Sequence, residues 1–309
     1  MPILREIALK FNLVDQPGGR KIHSIPTAYL GGIGVVFSIM ISFLCLYAMI
    51  QYQIEVKGNV YFSFGRENIF WIHLLIFSIA AMVISLVGLM DDIKILDFKV
   101  KLCGQLVIAA LMILSGVYLH LFDHWILNVA FSVAWYVIFT NAFNLLDNMN
   151  GLTAGISAIV FLFLSVLAYV TQNFLLSFCL IIFCGSLLGF LPFNFPKASI
   201  FLGDAGSLFI GFSIASFGVL MFNHLILKGL SNPYALFVLA AILVVPCLDT
   251  LTVSMIRIKN KKPIYIGDTN HLSHLLTRSG LSAVHAVLVL YGLSFVFGFA
   301  SMIYFLTLK

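Results

Sequence analysis

Nine apolar stretches follow one another along the chain, each close to the roughly 20 residues needed to cross about 30 Å of hydrocarbon. They run over 29–50, 69–90, 102–122, 126–146, 152–171, 174–193, 200–222, 234–255 and 283–308. A water-soluble core could not hold them. Of the 309 residues 61% are hydrophobic and only 9% charged, where soluble domains carry about 25% charge. The sequence therefore predicts an all-α fold, a polytopic membrane bundle of nine transmembrane helices forming a single integral-membrane domain over 1–309. Segment 1–28 is too polar for a span or a signal h-region and is expected to stay on the cytoplasmic side. Segment 256–282 is expected to be a cytoplasmic loop containing histidines. Cys45, Cys103, Cys179, Cys184 and Cys247 all sit in apolar runs with no Cys-x-x-Cys pair, so they read as packing residues rather than disulfides or zinc ligands.

Nine spans place the two ends on opposite sides of the bilayer. With the N-terminus inside, only Lys57, Arg66, Lys228 and Lys309 of the 17 basic residues fall outside, as the positive-inside tendency requires. The expected topology is N-in, C-out. The net charge of +5 then reports topology, and its expected counterpart is anionic lipid rather than nucleic acid.

Carboxylates at span ends are expensive, which makes them functional candidates. Asp91 and Asp92 end the second span, Asn144, Asp147 and Asn150 the fourth, Asp204 opens the seventh and Asp249 closes the eighth. In the expected topology all of them, with His23, His271 and His274, lie on the cytoplasmic side. Side-by-side acids such as Asp91 and Asp92 repel unless something compensates. Lys101, about two and a half turns on, either snorkels or contacts phosphate. In NAFNLLDNMNG, Asn141, Asn144, Asp147 and Asn150 recur every third residue, which on a helix would make one polar stripe. Asp204 lies between two glycines in FLGDAGS, a setting for a bend or for close approach to a phosphate or metal. Asp249 reads as a partner for Arg257, and His271 with His274 as a loose metal pair or as phosphate or sugar contacts.

Hard oxygen ligands beside Lys and Arg suit magnesium and a diphosphate. No P-loop, kinase motif set or GxSxG elbow is present. What fits is phosphoryl transfer at a membrane face, with one substrate dissolved in the bilayer.

Five ordered blocks sharpen this: DQPGGRKIHSIPTAYLGG, GLMDDIK with KLCGQ, NAFNLLDNMNGL, FNFPKASIFLGDAGSLFIG, and PCLDT followed by Arg257 and GDTNHLSH. In order and spacing they resemble the polyprenyl-phosphate N-acetylhexosamine-1-phosphate transferases of the glycosyltransferase-four superfamily. The resemblance implies transfer of a sugar 1-phosphate from a UDP-sugar to an undecaprenyl-type phosphate with release of UMP. It places the site on the cytoplasmic face of a bacterial inner membrane, at the first membrane step of cell-envelope polysaccharide synthesis. It implies Mg2+ as cofactor, with Mn2+ as a substitute, Asp204 as principal ligand and Asn144 as second. Asp91 and Asp92 resemble the acidic pair beside the lipid phosphate, with Asp91 as base or positioning group, and Lys101 resembles the phosphate-contacting lysine. Asp147 and Asn150 match the nucleotide site, and Arg257, His271 and His274 the donor diphosphate and sugar site. Arg20, Lys21 and His23 of the first block join the substrate-binding set.

The chain departs from the pattern in three places. Met1 starts where a preceding span would end. Asn148 and Asn150 stand for a Gly and an Asp. The histidine block reads His271, Ser273, His274, Leu275 in place of His-x-His-His-Arg. The alternatives are a phospho-N-acetylmuramoyl-pentapeptide transferase, a secondary transporter, for which no internal repeat is found, and an inactive scaffold. A homodimer is compatible with the sequence.

Overall fold

Without water to bond, backbone inside a bilayer must pair its own N–H and C=O groups, which selects helices for the apolar runs. The computed structural model describes residues 1–15, 26–57, 67–263 and 269–308. Among these, α1 (Pro2–Lys10) leads to a ribbon of β1 (Val14–Asp15) and β2 (Thr27–Ala28). Helices α2 (Gly31–Lys57), α3 (Glu67–Ile93), α4 (Phe98–Leu114), α5 (Trp125–Leu146), α6 (Leu152–Val170) and α7 (Phe174–Asn194) follow. Then come α8 (Gly203–Leu227), α9 (Asn232–Ile242), α10 (Val244–Lys259), α11 (Leu272–Arg278) and α12 (Ala283–Thr307). The chain is a multi-pass, all-α membrane protein, as expected.

The axis of the bundle is α8. Every residue from Ala205 to Val219 is buried, and α2, α3, α5 and α6 pack around it. Aromatic rings fill its flanks: Phe212 stacks on Phe77 with centroids 5.4 Å apart, and Phe183 sits 4.4 Å from Phe161. The N-terminal ribbon is antiparallel, with Val14 opposite Ala28 and Asp15 opposite Thr27. It is sewn to the segment that enters α8: Phe201 N donates to Ala28 O at 2.8 Å, Gly31 N to Phe201 O at 3.0 Å and Gly32 N to Leu202 O at 2.9 Å.

Each of the nine apolar windows becomes helix, but two differ from a simple span. Among the described residues seven helices, α2, α3, α5, α6, α7, α8 and α12, are long and apolar enough to cross, and the pair α9–α10 makes an eighth if counted as one bent by 83°. The bend follows from Pro246 near the start of α10, which has no N–H and whose ring crowds the carbonyl four residues back. The third window stops at Leu114 after 17 helical residues, about 26 Å. Its remainder returns to α5 as irregular backbone because side chains take over the bonding. Asn128 Oδ1 accepts Leu121 N at 3.0 Å and Phe122 N at 2.8 Å, and Asn128 Nδ2 donates to Phe122 O at 2.9 Å. Ser132 Oγ accepts Leu119 N, Asn223 Nδ2 donates to Tyr118 O and Asn232 Nδ2 to Leu121 O.

Replacing Asn128 with Ala would orphan two N–H groups and a carbonyl in this turn. Asn128→Ala is expected to destabilise the detergent-solubilised protein by about 2–3 kcal/mol, read as a lower thermal midpoint. An unchanged midpoint would show that the loop does not depend on this amide.

Candidate active site

The first N–H groups of a helix have no partner within it, and those of α8 are held at the centre of the bundle. Their partner comes from α3. Asp92 Oδ1 accepts Asp204 N at 2.8 Å, and Asp92 Oδ2 accepts Ala205 N at 3.1 Å. A carboxylate here also meets the positive end of the helix dipole. Gly203 makes the arrangement possible: it has φ +70°, and a side chain there would run into the Asp92 carboxylate.

Neighbouring Asp91 faces the other way. Its Oδ1 accepts Leu96 N at 2.6 Å, closing the turn out of α3, and its Oδ2 takes Lys101 Nζ at 2.9 Å. Lys101 stands one turn into α4, whose start is fixed by Asp97 accepting Lys99 N at 2.8 Å. The same ammonium reaches Asp204 Oδ2 at 3.3 Å. Asp91 and Asp204 are themselves within hydrogen-bonding reach. Two carboxyls so close need a cation or a proton between them, and Lys101 provides the cation. Asn144 approaches from α5, its Nδ2 donating to Ser207 Oγ at 2.9 Å, one turn past Asp204.

The expected polar stripe on α5 is interrupted. The helix ends at Leu146, so Asp147 and Asn150 lie in a turn closed by Gly151 at φ +74°, and the spacing of three no longer sets one face. Asn141 turns aside to exchange bonds with Gln105 at 3.1 and 2.7 Å. The turn is tied on two sides: Asn194 Oδ1 accepts Gly151 N at 2.8 Å and Tyr291 Oη donates to Gly151 O at 2.5 Å. Desolvation in this turn, with the Asp92 charge adding to it, pushes the pKa of Asp147 up to about 7.

A cleft of about 1550 Å3 opens over these groups. Asp91, Asp92, Asp147, Asn150, Asp204 and His274 line it. Lys101 adjoins it through its bonds to Asp91 and Asp204, while Asn144 is bonded to the fully buried Ser207, one turn further into α8. Arg257 and His271 do not line it: they are 1% and 3% exposed. Asp249, 1% exposed, gives one oxygen to His271 Nδ1 at 2.8 Å and the other to Leu272 N at 2.7 Å, so it caps α11. Arg20, Lys21 and His23 lie outside the described residues. Two cleft residues were not singled out from sequence, Asp15 and Tyr29, whose hydroxyl donates to Asp15 Oδ1 at 2.6 Å. Both belong to the first block, DQPGGRKIHSIPTAYLGG, which was the available signal.

The sequence pattern of "Glycosyl transferase family 4" matches residues 74–222, the stretch that holds Asp91, Asp92, Lys101, Asn144, Asp147, Asn150 and Asp204. A Bacillus subtilis protein named "Probable undecaprenyl-phosphate N-acetylglucosaminyl 1-phosphate transferase" is 32% identical over 98% of this chain and 80% of its own length. The chain belongs to glycosyl transferase family 4. Other relatives of this family-4 chain are a Mycolicibacterium smegmatis decaprenyl-phosphate N-acetylglucosaminephosphotransferase, 29% identical over 98% of this chain and 78% of its own, and a Salmonella typhi undecaprenyl-phosphate alpha-N-acetylglucosaminyl 1-phosphate transferase, 25% identical over 93% and 75%.

Among the described residues of the family-4 chain no group of three or more His, Cys, Asp or Glu side chains is assembled as a metal cage. The oxygen set that does converge is the smaller one magnesium uses, one or two carboxylates completed by substrate phosphate.

The Asp92 cap predicts that Asp92→Ala and Gly203→Ala each destabilise the family-4 fold by roughly 2–3 kcal/mol, the first by orphaning two buried N–H groups, the second by backbone strain and overlap. Thermal unfolding of the purified variants checks this, and a midpoint equal to the parent for both would contradict it.

Proposed function

We propose that the chain transfers N-acetylglucosamine 1-phosphate from UDP-N-acetylglucosamine to undecaprenyl-type phosphate. A phosphate oxygen of the lipid bonds to the β-phosphorus of the donor, the bond from that phosphorus to the bridging oxygen breaks, and UMP leaves with the electron pair. The observation that carries this reading is the Asp91–Lys101–Asp204 cluster at the floor of an open cleft, in a chain whose relatives are named for this transfer.

A phosphate monoester has its second pKa near 6, so the acceptor is mostly dianionic at neutral pH and needs little help from a base. The chain's work is alignment and charge neutralisation. Both oxygens of Asp91 are already engaged, by Leu96 N and Lys101 Nζ, which favours a positioning role: Asp91 aims Lys101, and Lys101 neutralises phosphate. Asp92 holds the start of α8 and so the place of Asp204. The donor set fits Mg2+, with Mn2+ as a substitute; Asp204 and Asn144 would hold it, the Asn144 oxygen being left for it by the bond of its Nδ2 to Ser207. When bound, the metal supplies charge compensation on the diphosphate oxygens. Asp147, Asn150 and His274 line the part of the cleft assigned to the donor, while Arg257 and His271 are buried and do not line it. The concentration of basic residues at the ends flanking this cleft supports a cytoplasmic face of a bacterial inner membrane.

The experiment is UMP release by the purified protein with Mg2+, undecaprenyl phosphate and UDP-N-acetylglucosamine. Lipid-dependent release is expected, falling at least ~100-fold in Asp204→Ala. A folded protein releasing no UMP from this or any other UDP-acetylhexosamine would overturn the proposal.

A further inference from the structure

Two walls of the cleft, the turn after α5 and helix α11, are joined by one pair of side chains. Ser273 Oγ donates to Asn148 Oδ1 at 2.5 Å, and Ser273 is only 1% exposed. The other end of the Asn148 amide is engaged as well, Nδ2 donating to Leu145 O at 3.0 Å, while its backbone N donates to Leu146 O at 2.8 Å. Although Asn148 borders the cleft, its side chain is turned back onto protein at both polar atoms. It braces the cleft.

The opposite wall is rigid for independent reasons. Asp249 caps the start of α11 through Leu272 N and holds His271. At its far end Arg278 donates to Thr269 O and Thr269 Oγ1, both at 2.8 Å. The turn is likewise held by Asn194 and Tyr291. The Ser273–Asn148 bond therefore joins two stiff units and sets the spacing between what each presents to the cleft, Asp147 and Asn150 on one side and His274 on the other. Both members are also positions where the sequence departs from the pattern it otherwise follows.

We infer that Asn148 and Ser273 form a brace that fixes the width of the donor subsite between Asp147 and Asn150 on one wall and His274 on the other. This rests on the transferase reading. Neither residue touches the acceptor phosphate, so they are positioning residues.

The test measures KM for UDP-N-acetylglucosamine and for undecaprenyl phosphate separately in the parent, Ser273→Ala, Asn148→Ala and the double variant, with donor affinity by calorimetry on the same four proteins. Each single change is expected to raise donor KM and weaken donor binding about fivefold, the effect of one lost hydrogen bond, with lipid KM unchanged. The double variant should be no worse than Asn148→Ala, which already loses the shared bond together with its own bond to Leu145 O. The inference is overturned if the single variants match the parent, if both KM values rise together, or if the single effects multiply in the double. If the parent releases no UMP, the transferase reading fails, and the calorimetric comparison still decides the brace by the same criteria.

Discussion

The N-terminus of a buried helix must find acceptors for its free N–H groups, and in this protein that requirement organises the active end of the molecule. Helix α8 runs through the centre of the bundle, and its start has no preceding turn to pair with its first N–H groups. Its first N–H groups are taken by Asp92, 112 residues earlier in the chain. Because Asp92 closes α3, this one carboxylate fixes α3 against α8. It thereby fixes Asp91, the next residue back, beside Asp204. Lys101 then has a defined place, because two carboxyls held together need a positive charge between them. The acidic pair is thus divided between two tasks, one acid placing the helix and the other placing the lysine.

The ends of the bundle use polar side chains differently. Where α4 stops short, Asn128, Asn223, Asn232 and Ser132 satisfy irregular backbone and are consumed in doing so. At the active end the equivalent duty falls on Asp92, Asn194, Asp249 and Asn148, which hold helix starts and turns. Asp204, Asn150 and His274 line the cleft beside them.

Much of this was legible in the sequence. Runs of apolar residues gave the helices because the bilayer admits little else, the parity of the spans gathered Asp91, Asp92, Lys101, Asn144, Asp147 and Asp204 at one end, and five ordered blocks gave the family. What the sequence did not reveal was long-range bonding. That Asp249 goes to His271 and Leu272 rather than serving simply as a partner of Arg257 depends on the bend at Pro246. That Asp147 and Asn150 leave the helix depends on Gly151, whose positive φ ends a spacing that otherwise reads as a stripe. The short α4 was hidden because its continuation stays apolar: the helix ends just before Gly116, with φ +94°, and the amides that satisfy the backbone beyond it lie in α5 and later helices.

The central claim is that α3, α4 and α8 bring Asp204, Asp91 and Lys101 to one cation and phosphate site through the Asp92 cap. Electron paramagnetic resonance of Mn2+ titrated into the protein in nanodiscs tests it without turnover. The account predicts a single tight site, lost in Asp204→Ala and weakened in Asp92→Ala although Asp92 itself offers the metal no oxygen. Mn2+ binding that is the same in all three proteins would contradict it.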